Sequence, residues 1–206
     1  MRSRYYGQHL DPERIQGYKK FNEKNILCYG SQVWVPQSSS RDILLLERIQ
    51  RRATKFIFKY QADAYVSYKE RLVKLNLLPL SYWFEYLDLV YFFKCQLKLN
   101  NIELSNYVTP CSLSSRPTRS TTSKDFRPNS CKTSTYRDSF FNRVIILWNS
   151  LPFNIKSSNS VSSFKNLLRA HYSTLLLSTF DPDRIRTYKT ICSKCRATSI
   201  TTVCCR

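Results

Sequence analysis

Apolar residues in this chain recur mostly at three- and four-residue steps, the spacing that lines one face of a helix, and no stretch alternates strictly enough to compete as a strand. Only Gly7, Gly17 and Gly30 supply glycine punctuation, so the apolar stretches run long and the fold class is read as mainly α. The first candidate helix lies within residues 23–35, with Ile26, Tyr29, Val33 and Trp34 on one side, and Pro36 with the serine run 38–40 stops it. Asp42 stands near the start of the next helix, in RDILLLERIQRRATKFIFKY, where Ile49, Ala53, Phe56, Ile57 and Tyr60 form the face expected to hold it to a bundle. Ser67 opens a short helix through Leu75, Asn76 and Pro79 break it, and Ser81 is the expected cap of a longer helix reaching about Leu99. Tyr82, Trp83, Phe84, Tyr86, Tyr91, Phe92 and Phe93 make that helix apolar nearly all round, which suits the centre of a bundle better than a base-stacking platform.

Composition then divides the chain. Residues 1–22 form a charged leading segment, residues 23–100 the helical bundle, and residues 101–138 a Ser/Thr/Arg-rich linker with few large aliphatic side chains, expected to be disordered. Order is expected to resume over residues 139–176, where Phe140, Phe141, Val144, Ile145, Leu147 and Trp148 cluster and Asn149, Ser150 and Pro152 end the run. Ser160 then starts a helix marked by Val161, Phe164, Leu167, Leu168 and Tyr172, and residues 177–206 form a basic, Cys-rich tail.

Charge changes the picture. Lys and Arg number 33 against 14 Asp and Glu, and a net charge of +19 opposes compaction unless an anionic partner neutralises it. Nucleic acid is the first candidate. A membrane is the rival, but the richest apolar run, residues 77–93, contains Pro79, Glu85 and Asp88, so no membrane partner is expected. The N-terminal MRSRYYGQHLDPERIQGYKK lacks the apolar centre of a secretory signal, which favours an intracellular protein, nuclear or cytoplasmic. Arg41, Arg48, Arg52, Lys55 and Lys59 follow one another at seven-, four-, three- and four-residue steps, forming one stripe able to track a phosphate backbone. Arg51 is counted with them, although Glu47 one turn earlier offers it an ordinary surface pair. A solvated helix face explains the same pattern, and the chain-wide charge tips the reading towards binding.

Candidate chemistry is sparse. Cys192-x-x-Cys195 followed by Cys204 and Cys205 has the makings of a tetrahedral zinc site, although adjacent cysteines make an awkward second pair and free or oxidisable thiols are the alternative. Cys28, Cys95, Cys111 and Cys131 are scattered singly, unlike a secreted disulfide framework. Two-metal polymerase chemistry requires paired carboxylates; Asp181 and Asp183 are the nearest approach and lack flanking apolar strands, so neither a magnesium site nor catalytic residues are expected. His9 and His171 are the only histidines, which leaves hydrolase constellations poorly supplied.

Several segments together resemble the C-terminal third of LINE-type (non-LTR) retrotransposon reverse transcriptases, in the jockey-like and chicken-repeat-like groups. ILCYGSQVWVP at 26–36 followed by LLERIQRRATKFI at 45–57 is similar to the segment that follows the palm and belongs to the thumb, and this pair is highly specific. SYKERLVKLNLLPLSYWFEYLDLVYFFK at 67–94 continues the match, as do SFFNRVIILWNSLP at 139–152 with SFKNLL downstream, and DPDRIRTYKTICSKC at 181–195. The resemblance implies a thumb-like helical bundle gripping template and primer, an RNA–DNA hybrid as partner, and a truncated or degenerate copy without the catalytic palm, hence no enzyme by itself. The competing expectation is a protein-interaction module or a transposon remnant without a role.

Overall fold

A computed structural model describes residues 28–35, 40–58, 66–111 and 124–180 and the short pairs 190–191 and 198–199. Its described residues are mainly helical. In chain order they form α1 (Ser31–Trp34), α2 (Ser40–Ile57), α3 (Tyr68–Leu75), α4 (Leu80–Gln96), a 3-10 turn (Leu104–Asn106), β1 (Thr109–Pro110), β2 (Phe126–Arg127), α5 (Ser134–Arg137), α6 (Phe140–Ser150), α7 (Phe153–Lys156), α8 (Val161–Ser178), β3 (Thr190–Ile191) and β4 (Thr198–Ser199). Two minimal antiparallel ladders pair Thr109 with Arg127 and Thr190 with Ser199. No described helix is long and apolar enough to cross a membrane.

Local chemistry explains most boundaries. Ser67 and Glu70 close a capping box around α3, each side chain taking the other's main-chain amide, and Asn76 ends the helix at φ 53, a left-handed conformation that asparagine tolerates. Ser160 accepts from the Ser163 amide at 3.1 Å and starts α8 as expected. The start of α4 departs from expectation. Its first residue is Leu80 rather than one following a Ser81 cap, and the Leu80 amide is met by the Glu47 carboxylate of α2 at 2.9 Å. A side chain remote in sequence therefore does the work assigned to the neighbouring serine.

Within the described part of the first candidate helix, residues 28–35, the helix is the single turn of α1, entered through Gly30 at φ 62, a conformation that glycine adopts without penalty; residues 23–27, Ile26 among them, lie outside the described set. Tyr29 and Val33 are exposed and Trp34 partly so, contrary to the expected apolar side; Ser31 and Val35 are buried instead, with Val35 packing against Leu80 and Phe84.

The aromatic helix α4 is central, as its all-round apolar character predicts. Leu89, Phe92 and Phe93 share one core with Val144, Ile145 and Trp148 of α6 and Phe164, Leu168 and Tyr172 of α8. Phe93 stacks on Phe164 with ring centroids 4.2 Å apart, and Phe92 meets Trp148 edge-on at 5.4 Å. The expected bundle and the expected smaller element are thus joined through one core. Inside it, the Arg143 guanidinium grips Asp88 at 2.9 and 3.2 Å and donates onward to the Gln32 carbonyl at 2.8 Å, tying α1, α4 and α6 together.

The expected disordered linker is corrected over residues 101–111 and 124–138, which are built into this frame; residues 112–123 lie outside the described set. Phe126 packs against Phe92 and Trp148, and Asn149 matches the Phe126 backbone with two hydrogen bonds, 3.0 and 2.7 Å, as a neighbouring strand would. Lys156 buries its ammonium on Asp125 at 2.8 Å. One aromatic and a few paired polar groups suffice to anchor a segment whose composition reads as low-complexity.

Candidate nucleic-acid interface

The orientation of α2 decides what its cations can reach. Its buried positions are Ile43, Glu47, Gln50, Thr54 and Ile57, a regular helical face whose middle is polar. Glu47 accepts hydrogen bonds from the Tyr68 hydroxyl and the Leu80 amide, Gln50 Nε2 donates to the Leu78 carbonyl at 2.9 Å, and Arg71 Nε donates to Thr54 Oγ1 at 3.4 Å. Hydrogen bonds are directional, so this seam fixes the rotation of α2 as well as its position. Burial pushes the Glu47 carboxyl up to about 6, and the Tyr68 hydroxyl, the Leu80 amide and the charge of Arg51 pull the other way.

Arg51 accordingly belongs to the seam. Its guanidinium lies 4.8 Å from the centre of the Tyr68 ring and acts on Glu47, and the residue is half-buried, unlike the other candidates described on this helix. Arg48, Arg52 and Lys55 are exposed on the opposite face of the helix. Arg41 lies on the same helix, but its side chain is outside the described set, and Lys59 lies outside it altogether. Three of the candidate cations are therefore brought together on one open face.

The expected apolar face is corrected in part: Ile57 is buried and Ala53 half-buried, but two of its members turn outward. Ile49 is 51% exposed and Phe56 63% exposed, and with Leu45 they form an open row beside the cations rather than the grip on the bundle. Two sets of positions in this helix satisfy three- and four-residue spacing, and hydrophobicity alone selects Ile49 and Phe56 over a face centred on the polar Glu47, Gln50 and Thr54. Tyr60 lies outside the described residues.

The zinc candidates Cys192, Cys195, Cys204 and Cys205 lie outside the described residues, as do Asp181 and Asp183. Among the described residues no three His, Cys, Asp or Glu side chains gather as a metal site; Cys95, Cys111 and Cys131 are free thiols, and the Cys28 sulfur accepts from the Trp83 ring N–H at 3.2 Å. Burial lowers the His171 pKa. Sequence reasoning also passed over the two buried ion pairs. For the Asp88–Arg143 pair the available signal was a lone base, Arg143, in an otherwise apolar helix, and two acids, Glu85 and Asp88, in the aromatic one, since a buried charge calls for a partner. Nothing comparable in the sequence marks Glu47 as the cap of α4.

No protein-family model, curated protein or solved structure matches this chain.

Proposed function

We propose that this chain is a non-catalytic, thumb-like piece of a LINE-type reverse transcriptase that binds template–primer nucleic acid, an RNA–DNA hybrid, through the outward face of α2. The observation that carries the reading is the placement of Arg48, Arg52 and Lys55 in one exposed row on a helix whose rotation is fixed from behind by Glu47, Gln50 and Thr54. A fixed row of cations meets successive phosphates without ordering a loop, and phosphate contacts position a protein on a strand without reading its sequence. The net charge of +19 supports the same partner, as does the similarity of residues 26–57 to the thumb segment. The terminal cysteines Cys192, Cys195, Cys204 and Cys205 enter this reading as a zinc site, checked by the metal content of the purified chain.

Binding of a labelled RNA–DNA hybrid, followed by anisotropy across a range of salt concentrations, tests the reading. Tight binding at low salt, a steep log–log decline and indifference to sequence are expected. Binding that ignores salt would remove the phosphate-gripping role. The open row of Leu45, Ile49 and Phe56 supports a second reading, a helix that docks a protein, for which replacing the apolar row rather than the cations abolishes association.

A further inference from the structure

Two tyrosines far from α2 in sequence stand half-exposed, the ring of Tyr107 packed on Phe141 and the main chain of Tyr136 held by hydrogen bonds. The Tyr107 ring lies flat on Phe141, centroids 4.3 Å apart and planes 12° apart, yet the residue is 50% exposed. Phe141 leans on Phe140, and Phe140 meets Tyr91 of α4, so the platform is anchored to the core by aromatic contacts at 5.1 and 5.5 Å. Tyr136 is 51% exposed. The two main chains are joined through amides: Asn129 Nδ2 donates to the Tyr107 carbonyl at 3.4 Å and to Asn142 Oδ1 at 2.8 Å, and Asn142 Nδ2 donates to the Tyr136 carbonyl at 2.6 Å. Arg127, Lys132 and Arg137 are exposed on the same segment. The acids nearby in sequence are Asp125, held by the Lys156 ammonium at 2.8 Å, Asp138, 3.7 Å from Arg137, and Glu103, which accepts from the Ser105 hydroxyl.

From this arrangement we infer that Tyr107 and Tyr136 form a stacking platform for the bases of unpaired nucleic acid, a second binding surface distinct from the phosphate row of α2. The inference rests on the nucleic-acid reading proposed above. An aromatic ring held rigidly before binding loses little freedom when a base lands on it. Duplex bases are already stacked on one another, whereas unpaired bases can splay onto a side chain, so the platform selects single strands. The Asn129 and Asn142 amides are engaged with each other and with main-chain carbonyls, which leaves stacking rather than hydrogen-bonded base reading and makes the surface tolerant of sequence. Arg127, Lys132 and Arg137 supply charge complementary to the strand's phosphates.

The test uses the full chain and labelled single strands of about 12 nucleotides, with bases and with abasic positions, beside an RNA–DNA hybrid. The parent should hold the base-bearing strand about tenfold or more tighter than the abasic one, because stacking contributes a factor between about 5 and 150 per base. Tyr107→Leu and Tyr136→Leu should each lose about tenfold on the base-bearing strand only, and Tyr→Phe at either position should retain it. Should a leucine variant fail to fold, photocrosslinking of an iodouridine-substituted strand to the unaltered protein locates the contact, with adducts expected at Tyr107 or Tyr136. Equal affinity for base-bearing and abasic strands, or adducts confined to other residues, would overturn the platform while leaving α2 intact. A parent that binds neither strand nor hybrid would overturn the nucleic-acid reading as well.

Discussion

The packing of α4 against α6 and α8 and the packing of α2 against α3 and α4 are held by opposite means. Around Phe92, Phe93, Trp148 and Phe164 the contact is mainly aromatic, crossed by paired polar groups such as Asp88 with Arg143 and the Tyr172 hydroxyl on Glu85. Behind α2 it is a line of hydrogen bonds accepted by Glu47 and Thr54 and donated by Gln50, framed by Ile43 and Ile57. The first kind of contact tolerates small slips and is stabilised in proportion to area; the second permits one rotation of the helix and stabilises less. A helix that must aim a row of cations gains from the second.

The largest expected effect lies in the aromatic core. Phe92→Ala should cost about 3–5 kcal/mol in urea denaturation, because the ring is fully buried between Phe126 and Trp148. A loss below about 1 kcal/mol would mean that this core is not close-packed.

The α2 seam should respond to pH. The folded Glu47 carboxyl sits at about 6, above its ordinary 4.5, so the protonated form favours folding. Its stabilising contribution is fully present below about 4.5 and lost as pH rises through about 6, leaving a cost of about 2 kcal/mol at neutral pH. Glu47→Gln removes that titration while keeping an oxygen for the Leu80 amide. The stability of the parent relative to the Gln variant should therefore fall by about 2 kcal/mol between pH 4.5 and 7. A difference that stays flat over this window would deny the burial of the charge.

Phe56→Ala should change stability by less than about 0.5 kcal/mol, since the ring is mostly in solvent. Were Phe56 turned into the bundle, as its spacing first suggests, the same substitution would cost about 3–5 kcal/mol, so this measurement decides between the two orientations of α2.

The contrast also explains what the sequence discloses. Helical class, the start of α3 at Ser67, the Ser160 cap and the central place of α4 follow from local spacing and capping chemistry, which act within a few residues. The cation row at Arg48, Arg52 and Lys55 was legible for the same reason. The face that anchors it was not, because Glu47 and Gln50 find their partners at Leu80 and Leu78, and such pairings leave no periodic trace. Residues 124–138 were misread because anchoring depends on Phe126 and on Asp125 with Lys156, not on mean composition.

The central claim, that α2 presents its cations to phosphates, is tested most directly by Arg48→Gln, Arg52→Gln and Lys55→Gln combined. The urea midpoint should stay put, because all three side chains are exposed. On an RNA–DNA hybrid the log–log salt slope of the triple variant should be shallower than the parent's by about 2.7, taking about 0.9 per lost duplex contact, and by about 2.1 on a single strand. An unchanged slope and affinity, with the fold intact, would make the row a solvated face and contradict the account.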